Sequence, residues 1–237
     1  MFCYTSGTTG DPKGAILTIE SLLSTMHCLD YLKINFNEED SMISYMPYGH
    51  VMEQGNLINS LLHGFRTGYY SGDPLKLMED VQCLKPTAMC SVPRILNRLH
   101  SKIMESLPPL KAGDSHDRKI LEAVNAKVKL IFGGRLRFLL SASAPISNEV
   151  MSFYKEALGI HVYECYGQTE ISGPGTLTHP SDKHSTGHVG GLIPTMRARL
   201  RDCPELGYLS TDNPPRGEVQ FKGTNVFKGY FKNPTRT

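Results

Sequence analysis

Lys13 is the first residue that reads as chemistry rather than packing, because of its company: Tyr4, Thr5, Ser6, Gly7, Thr8, Thr9, Gly10, Asp11 and Pro12 precede it, and Gly14 follows. The three glycines let the backbone turn tightly and bring N–H groups against a bulky anion. The hydroxyls of Thr5, Ser6, Thr8 and Thr9 add donors, and Lys13 adds a full positive charge. This pattern predicts a phosphate-binding loop. A flexible linker would need neither the Asp-Pro-Lys-Gly exit nor the apolar Ala15, Ile16 and Leu17 behind it. A Walker A loop is excluded, since its lysine follows glycine and precedes Ser/Thr, whereas Lys13 lies between Pro12 and Gly14. The G-x-G-x-x-G pattern is also absent from the stretch.

Three further stretches carry reactive or ligand-binding groups. His50 and Glu53 follow Pro47 at the end of a short extended run; a lone histidine is more often a satisfied structural group than a catalytic one. The small residues Ser141, Ala142, Ser143, Ala144 and Pro145 follow the apolar Phe138-Leu139-Leu140, and ligands in open α/β sheets sit beyond such strand ends. In Tyr166-Gly167-Gln168-Thr169-Glu170, the tyrosine offers a flat face for a base and Thr169 a hydroxyl. The carboxylate of Glu170 suits a hard, oxygen-seeking Mg²⁺.

Tyr4–Gly14 resembles, almost letter for letter, the signature Y-T-S-G-T-T-G-x-P-K-G of the adenylate-forming enzymes, a superfamily of acyl-CoA synthetases, luciferases and adenylation domains. Pro47–Glu53 resembles its L-P-x-x-H-x-x-E motif, Ser141–Pro145 its G-A-A-P turn and Tyr166–Glu170 its Y-G-x-T-E motif. Residues 187–190 and 217–230 resemble its G-x-V-G and G-E-x-x-x-K-G-x-N-V-F-x-G-Y segments, and Val92–Arg98 resembles the long-chain fatty acyl-CoA synthetases. Two departures stand out. Thr18-Ile19 replaces the usual Thr-His, and Ala142 replaces a glycine, so the backbone there is expected to approach a ligand less freely.

The resemblance implies an acid–thiol ligase that joins a long-chain fatty acid to AMP, releases pyrophosphate and passes the acyl group to CoA, using ATP and Mg²⁺. It assigns Thr5, Ser6, Gly7, Thr8, Thr9, Gly10 and Lys13 to the phosphates, and Thr5 with Glu170 to the metal. Ser143, Ala144, Pro145, Tyr166, Gly167, Gln168 and Thr169 fall to the adenine side of the nucleotide. His50 meets the substrate carboxylate as an orienting donor, which makes Lys13, His50 and Glu170 the catalytic set. An aryl, luciferin-like or amino acid substrate stays open, as does a nucleotide-binding remnant without turnover. The resemblance also allows membrane association, facing the cytosol at the endoplasmic reticulum, mitochondrial outer membrane or peroxisome, through a segment upstream of the first residue.

The expected fold is α/β, with parallel-sheet layers and helices, followed by the start of a small β-rich subdomain. Residues 1–185 read as the AMP-binding core and 186–237 as that subdomain. An apolar rhythm from Ala15 to Leu32 suits a helix after the loop; extended runs are expected at 40–46, 65–71, 87–92, 138–140 and 161–165. Helices are expected at 74–84, from Pro93, at 118–129 and after Ser147, with a surface loop at 108–115. Arg94, Arg98 and Lys102 read as a solvated helix face. Short strands are expected at 197–201, 217–221 and 226–230. The loop begins at the fourth residue and the chain stops before the family's T-G-D segment, so an internal fragment, inactive by itself, is expected.

Composition sets the outer bounds. With 237 residues, 40% of them hydrophobic, the chain can bury a sizeable core. A balance of 25 basic against 23 acidic residues argues against a nucleic-acid partner, so any affinity for phosphate must be local. The six cysteines contain no C-x-x-C pair and read as reduced, mostly buried thiols. His184 and His188 stand at i, i+4 without helical residues between them, which argues against zinc.

Overall fold

The computed structural model describes residues 1–5, 11–106, 118–182 and 186–237. Strands covered on both faces form the middle of a parallel sheet: β3 (Ser41–Ser44), β5 (Ala88–Ser91) and β6 (Phe138–Ser141), whose only polar residues are serines, are buried throughout. With β4 (Arg66–Tyr69), β7 (Val162–Gln168), β8 (Gly173–Leu177) and β9 (Gly191–Leu192) they form a seven-stranded sheet in the order β4-β3-β5-β6-β7-β8-β9. Strands β3 to β7 pair in parallel; β8 and β9 add antiparallel. The α/β expectation holds.

Alternate residues of the strands feed two cores. Met89, Leu139 and Val162 pack with α3 (Leu77–Leu84), α4 (Pro93–Glu105), α5 (Arg118–Ile131) and α6 (Asn148–Leu158). Cys90, Leu140 and Cys165 point the other way, into a core with α1 (Ile19–Tyr31) and α2 (Val51–His63). Pro93 opens α4 at its first turn, and Arg94, Arg98 and Lys102 face solvent as expected. Ser147 caps α6 through a hydrogen bond to Val150 N, and Gly159 ends that helix with φ +68°. From β3 the chain steps to β4 on one side, then returns past β3 to β5, β6 and β7 on the other. That reversal puts a crevice at the carboxyl ends of β3 and β5.

The rhythm from Ala15 does not form one helix. Lys13–Ile16 is strand β2, antiparallel to β1 (Phe2–Thr5), and α1 starts only at Ile19, capped by Thr18 and Ser21 in a reciprocal box. Ile19, within that apolar rhythm, is exposed. The chain's later part forms the antiparallel pair β10 (Met196–Arg201) and β11 (Glu218–Gly223). Residues 226–230 form no strand of their own, but an isolated bridge joins Tyr230 to Ala15 and returns the segment to β2. The expected surface loop at 108–115 lies outside the described residues. Five of the six cysteines are buried and free, and Cys83 is exposed. Among the described residues no helix is long and apolar enough to cross a membrane.

The opposite end of the sheet is tied by Arg137, whose Nε donates to Asp40 Oδ1 at 2.8 Å and whose Nη2 meets Asp40 Oδ2. Thr87 Oγ1 adds a hydrogen bond to Asp40 at 2.6 Å. Burial raises the Asp40 pKa, but the hydrogen bonds from Arg137 and Thr87 outweigh it and hold the carboxyl below its ordinary value. Arg137→Leu strands a buried carboxylate, and a loss of about 2 kcal/mol is expected, below the cost for a fully buried pair because the guanidinium is half-exposed. A depressed carboxyl stabilises above its unfolded pKa of about 3.9 and loses that contribution as pH falls through the folded value. Urea midpoints of wild type and variant should therefore differ at pH 7 and converge toward pH 3; a constant gap would show that the pair is not responsible.

Candidate functional site

The phosphate-loop residues Ser6, Gly7, Thr8, Thr9 and Gly10 lie outside the described residues. Their frame does not: Thr5 and Lys13 are cross-strand partners in the β1–β2 hairpin, so the loop is closed at its base. Lys13 Nζ stands 5.2 Å from the ring centre of Tyr230, and the Tyr230 hydroxyl donates to Glu170 Oε1 at 2.5 Å. Burial, then the hydrogen bond and charge of Glu170, push the Tyr230 phenol up to about 12, so it stays a donor. Lys13 and Glu170, 157 positions apart, thus meet through a third residue.

The chain reaches this arrangement by bringing residues 223–231 back over the core. Asn225 Nδ2 donates to Thr25 Oγ1 at 2.7 Å, Ser172 Oγ donates to Asn225 O at 2.8 Å and Phe227 N donates to Glu170 O at 2.8 Å. Phe231 N to Gly14 O, also 2.8 Å, then fastens the segment beside Lys13.

A second group surrounds the mouth of a cavity of about 240 Å³. His50 caps α2, and its Nδ1 accepts from Met52 N at 3.3 Å. In the neutral ring the proton therefore sits on Nε2, which suits a hydrogen-bond donor. Glu53, one turn further, is buried and accepts from Ser44 Oγ and Asn56 Nδ2, which pins the start of α2 to the end of β3. Ser143, Gly167, Gln168 and Thr169 also line the cavity, whereas Ala144 and Pro145 lie exposed on the same turn without lining it. Ala142 is buried and Ser143 takes the left-handed φ of +75°, so the turn's backbone constraint falls one residue later than the Ala142 departure suggests. Tyr166 is exposed and stacks on Phe221, centroids 6.1 Å apart at 25°.

β7 runs on through Gln168, so the Tyr166–Glu170 stretch is strand for three residues before a short 3-10 turn at Thr169–Ile171. Its pairing with β8 shifts register between Tyr166 and Gly167. A Cβ on Gly167 would stand 2.2 Å from Gly173 O, and both backbones would have to part. Gly167→Ala is expected to cost about 2 kcal/mol, measured by urea unfolding. An unchanged midpoint would mean that the two strands separate freely there.

Beyond the mouth the cavity turns apolar, with Met26, Met42, Phe138, Leu140 and Leu177 in its walls. Burial pushes the thiols of Cys28 and Cys165, also in the walls, up to about 12, and raises Cys90 as well, so the lining carries no thiolate at neutral pH. For a cation, Thr5 Oγ1 is a buried hydroxyl oxygen without a hydrogen-bond partner among the described residues, and Thr5 is the cross-strand partner of Lys13, which Tyr230 links to the Glu170 carboxylate. No group of three or more His, Cys, Asp or Glu gathers among the described residues. That sparse, oxygen-only set fits Mg²⁺, which takes one or two carboxylates and completes its shell with phosphates and water.

Residues 1–231 match the family described as AMP-binding enzyme. The chain belongs to that family. Among its relatives, the mouse long-chain-fatty-acid–CoA ligase 5 is 38% identical, covering 100% of this chain and 37% of the relative. The peroxisomal long chain acyl-CoA synthetase 6 of Arabidopsis thaliana is 37% identical over 99% of this chain and 36% of its own. The chain therefore spans little more than a third of the length of these relatives. In three dimensions it is similar to the adenylation domain of a Mycobacterium chelonae carboxylate reductase, with TM-score 0.78 and 30% identity over 99% of this chain and 35% of the other. It is equally similar to that of Segniliparus rugosus, solved with AMP and a co-purified carboxylic acid, with TM-score 0.77 and 30% identity over 99% and 36%.

Sequence reasoning about this AMP-binding enzyme passed over Tyr230 as a site residue, though it closes the motif that ends F-x-G-Y. Its phenol gains a role only through contacts with Lys13 and Glu170, which no local spacing encodes.

Proposed function

We propose that the protein activates a long-chain fatty acid with ATP as an acyl-adenylate and transfers the acyl group to CoA. One observation carries this reading: an apolar cavity and the nucleotide-type turns share a mouth, at His50, Ser143 and Gln168. A carboxylate is a poor acyl donor because its oxygen leaves badly, and two anions must approach before it can be joined to AMP. Charge that develops in that step needs fixed donors and cations. Lys13 supplies a cation to the phosphates, held beside the Tyr230 ring. His50 Nε2–H orients the carboxylate, and the apolar walls exclude water from the acyl end. Thr5 and Glu170 would hold Mg²⁺, which when bound neutralises phosphate charge. Ser143 to Pro145 and Tyr166 to Thr169 would take the adenine side. In this reading residues 1–185 are the AMP-binding core and 186–237 open a smaller β-rich unit.

The reductase neighbour solved with AMP and a carboxylic acid supports the shared mouth, and the two ligase relatives support a fatty acid and CoA over an aryl or amino acid. The peroxisomal relative supports an organelle-linked site of action, which we extend to a membrane surface facing the cytosol. The test is ATP–pyrophosphate exchange across octanoate, palmitate, benzoate and amino acids, measured on the 237-residue chain and on the longest polypeptide that contains it. Exchange led by palmitate is expected, with thioester formation confined to the longer polypeptide. A profile led by benzoate or an amino acid would overturn the substrate, and ATP binding with no exchange in either would favour a binding remnant.

A further inference from the structure

Tyr166 stands where the β10–β11 hairpin meets the central sheet. The pairing of β7 with β8 shifts register between Tyr166 and Gly167, so a regular pleat does not set the direction of the tyrosine ring. The Tyr166 backbone N–H donates to Thr176 Oγ1 at 3.3 Å, but among the described residues no hydrogen bond holds its hydroxyl. The ring is held by another ring. Phe221, on β11, stacks on it at 25° with centroids 6.1 Å apart, and Tyr166 is still 43% exposed.

Phe221 itself is fixed. It is half-buried, packs against the core that holds Cys165 and Met196, and has Ala198 as its cross-strand partner on β10. A Cβ on Gly175 of β8 would stand 3.0 and 3.1 Å from Phe221 Cε1 and Cζ, so the edge of the phenyl ring lies against a backbone that the glycine keeps clear. Gly175 immediately precedes Thr176, the residue paired with Tyr166. We propose that Phe221 is a positioning residue for the nucleotide base: it backs the Tyr166 ring so that the exposed side of that ring takes the adenine, which makes the β10–β11 hairpin part of the ATP site. This rests on the reading that Tyr166 lies on the adenine side. A stacked pair favours binding most when its plane is held in advance, since ordering a freely turning ring on binding costs affinity.

Calorimetric titration of the 237-residue chain with ATP and with inorganic tripolyphosphate, which has the phosphates but no base, separates the two ends of the ligand. Phe221→Ala should weaken ATP binding about fivefold and leave tripolyphosphate unchanged, and Phe221→Tyr should retain the wild-type affinity for both. Tyr166→Ala should weaken ATP binding about tenfold or more, again without effect on tripolyphosphate. ATP binding unchanged in Phe221→Ala but weakened in Tyr166→Ala would overturn this inference alone, and so would equal losses for the two ligands in Phe221→Ala, the mark of a damaged fold. Tighter ATP binding by Phe221→Ala would overturn it as well, because Phe221 would then cover the face that the base needs. No effect of Tyr166→Ala on ATP, or no ATP binding by the wild type, would overturn the adenine reading and this inference with it. Should Phe221→Ala not fold, Phe221→Leu, which keeps an apolar partner for the core and removes the flat ring, decides in its place.

Discussion

Glu170→Gln is expected to slow ATP–pyrophosphate exchange about 10²–10³-fold, or roughly 3–4 kcal/mol, the range seen when one preorganised electrostatic contact is removed from a transition state. The substitution keeps an oxygen for the Tyr230 hydroxyl to donate to, so the local frame survives, and it removes the negative charge that a hard cation needs. Exchange measured across a Mg²⁺ titration separates these effects: the variant should require more Mg²⁺ as well as turn over more slowly. An unchanged rate with unchanged Mg²⁺ dependence would sink the metal assignment. Tyr230→Phe, which frees the carboxylate without neutralising it, should fall between the two.

Lys13→Met should weaken ATP binding about 100-fold, close to 3 kcal/mol, in line with a charge-assisted contact to phosphate. Its effect on the fold should be small. In the protein the ammonium contacts the Tyr230 ring, a half-exposed cation–π pair worth about 0.5–1 kcal/mol, and methionine retains most of the side chain's length. Calorimetric ATP titration beside a thermal melt reads both quantities. If instead the variant unfolds and its folded fraction binds ATP normally, Lys13 holds the hairpin to the 223–231 segment and does not serve the nucleotide.

That β3, β5 and β6 are strands was legible because each carries apolar residues in a short extended run, a pattern that local burial dictates. The caps of α4 and α6 were legible for a similar reason, since Pro93, Ser147 and Gly159 act on their immediate neighbours. The stretch at Ala15 misled because Ala15, Ile16 and Leu17 are apolar for a different purpose: they pack a hairpin against residues 227–230, and Thr18 is where a helix can begin. A bridge from Ala15 to Tyr230, more than two hundred residues away, leaves no periodicity in the local sequence.

For the site, the chain by itself determined which groups are chemically able. A glycine and hydroxyl loop with Lys13, a histidine after a strand end and a carboxylate after Tyr166 are properties of residue type and short spacing. Tertiary structure alone decided which of them meet. Among the described residues Lys13 reaches Glu170 through Tyr230, and Tyr230 arrives there because Asn225, Phe227 and Phe231 fasten the returning segment to Thr25, Glu170 and Gly14. The face of α2 from Met52 to Asn59 likewise looks like an ordinary helix face until β5, β6 and β7 close over it, because a cavity is defined by what the rest of the chain fails to fill.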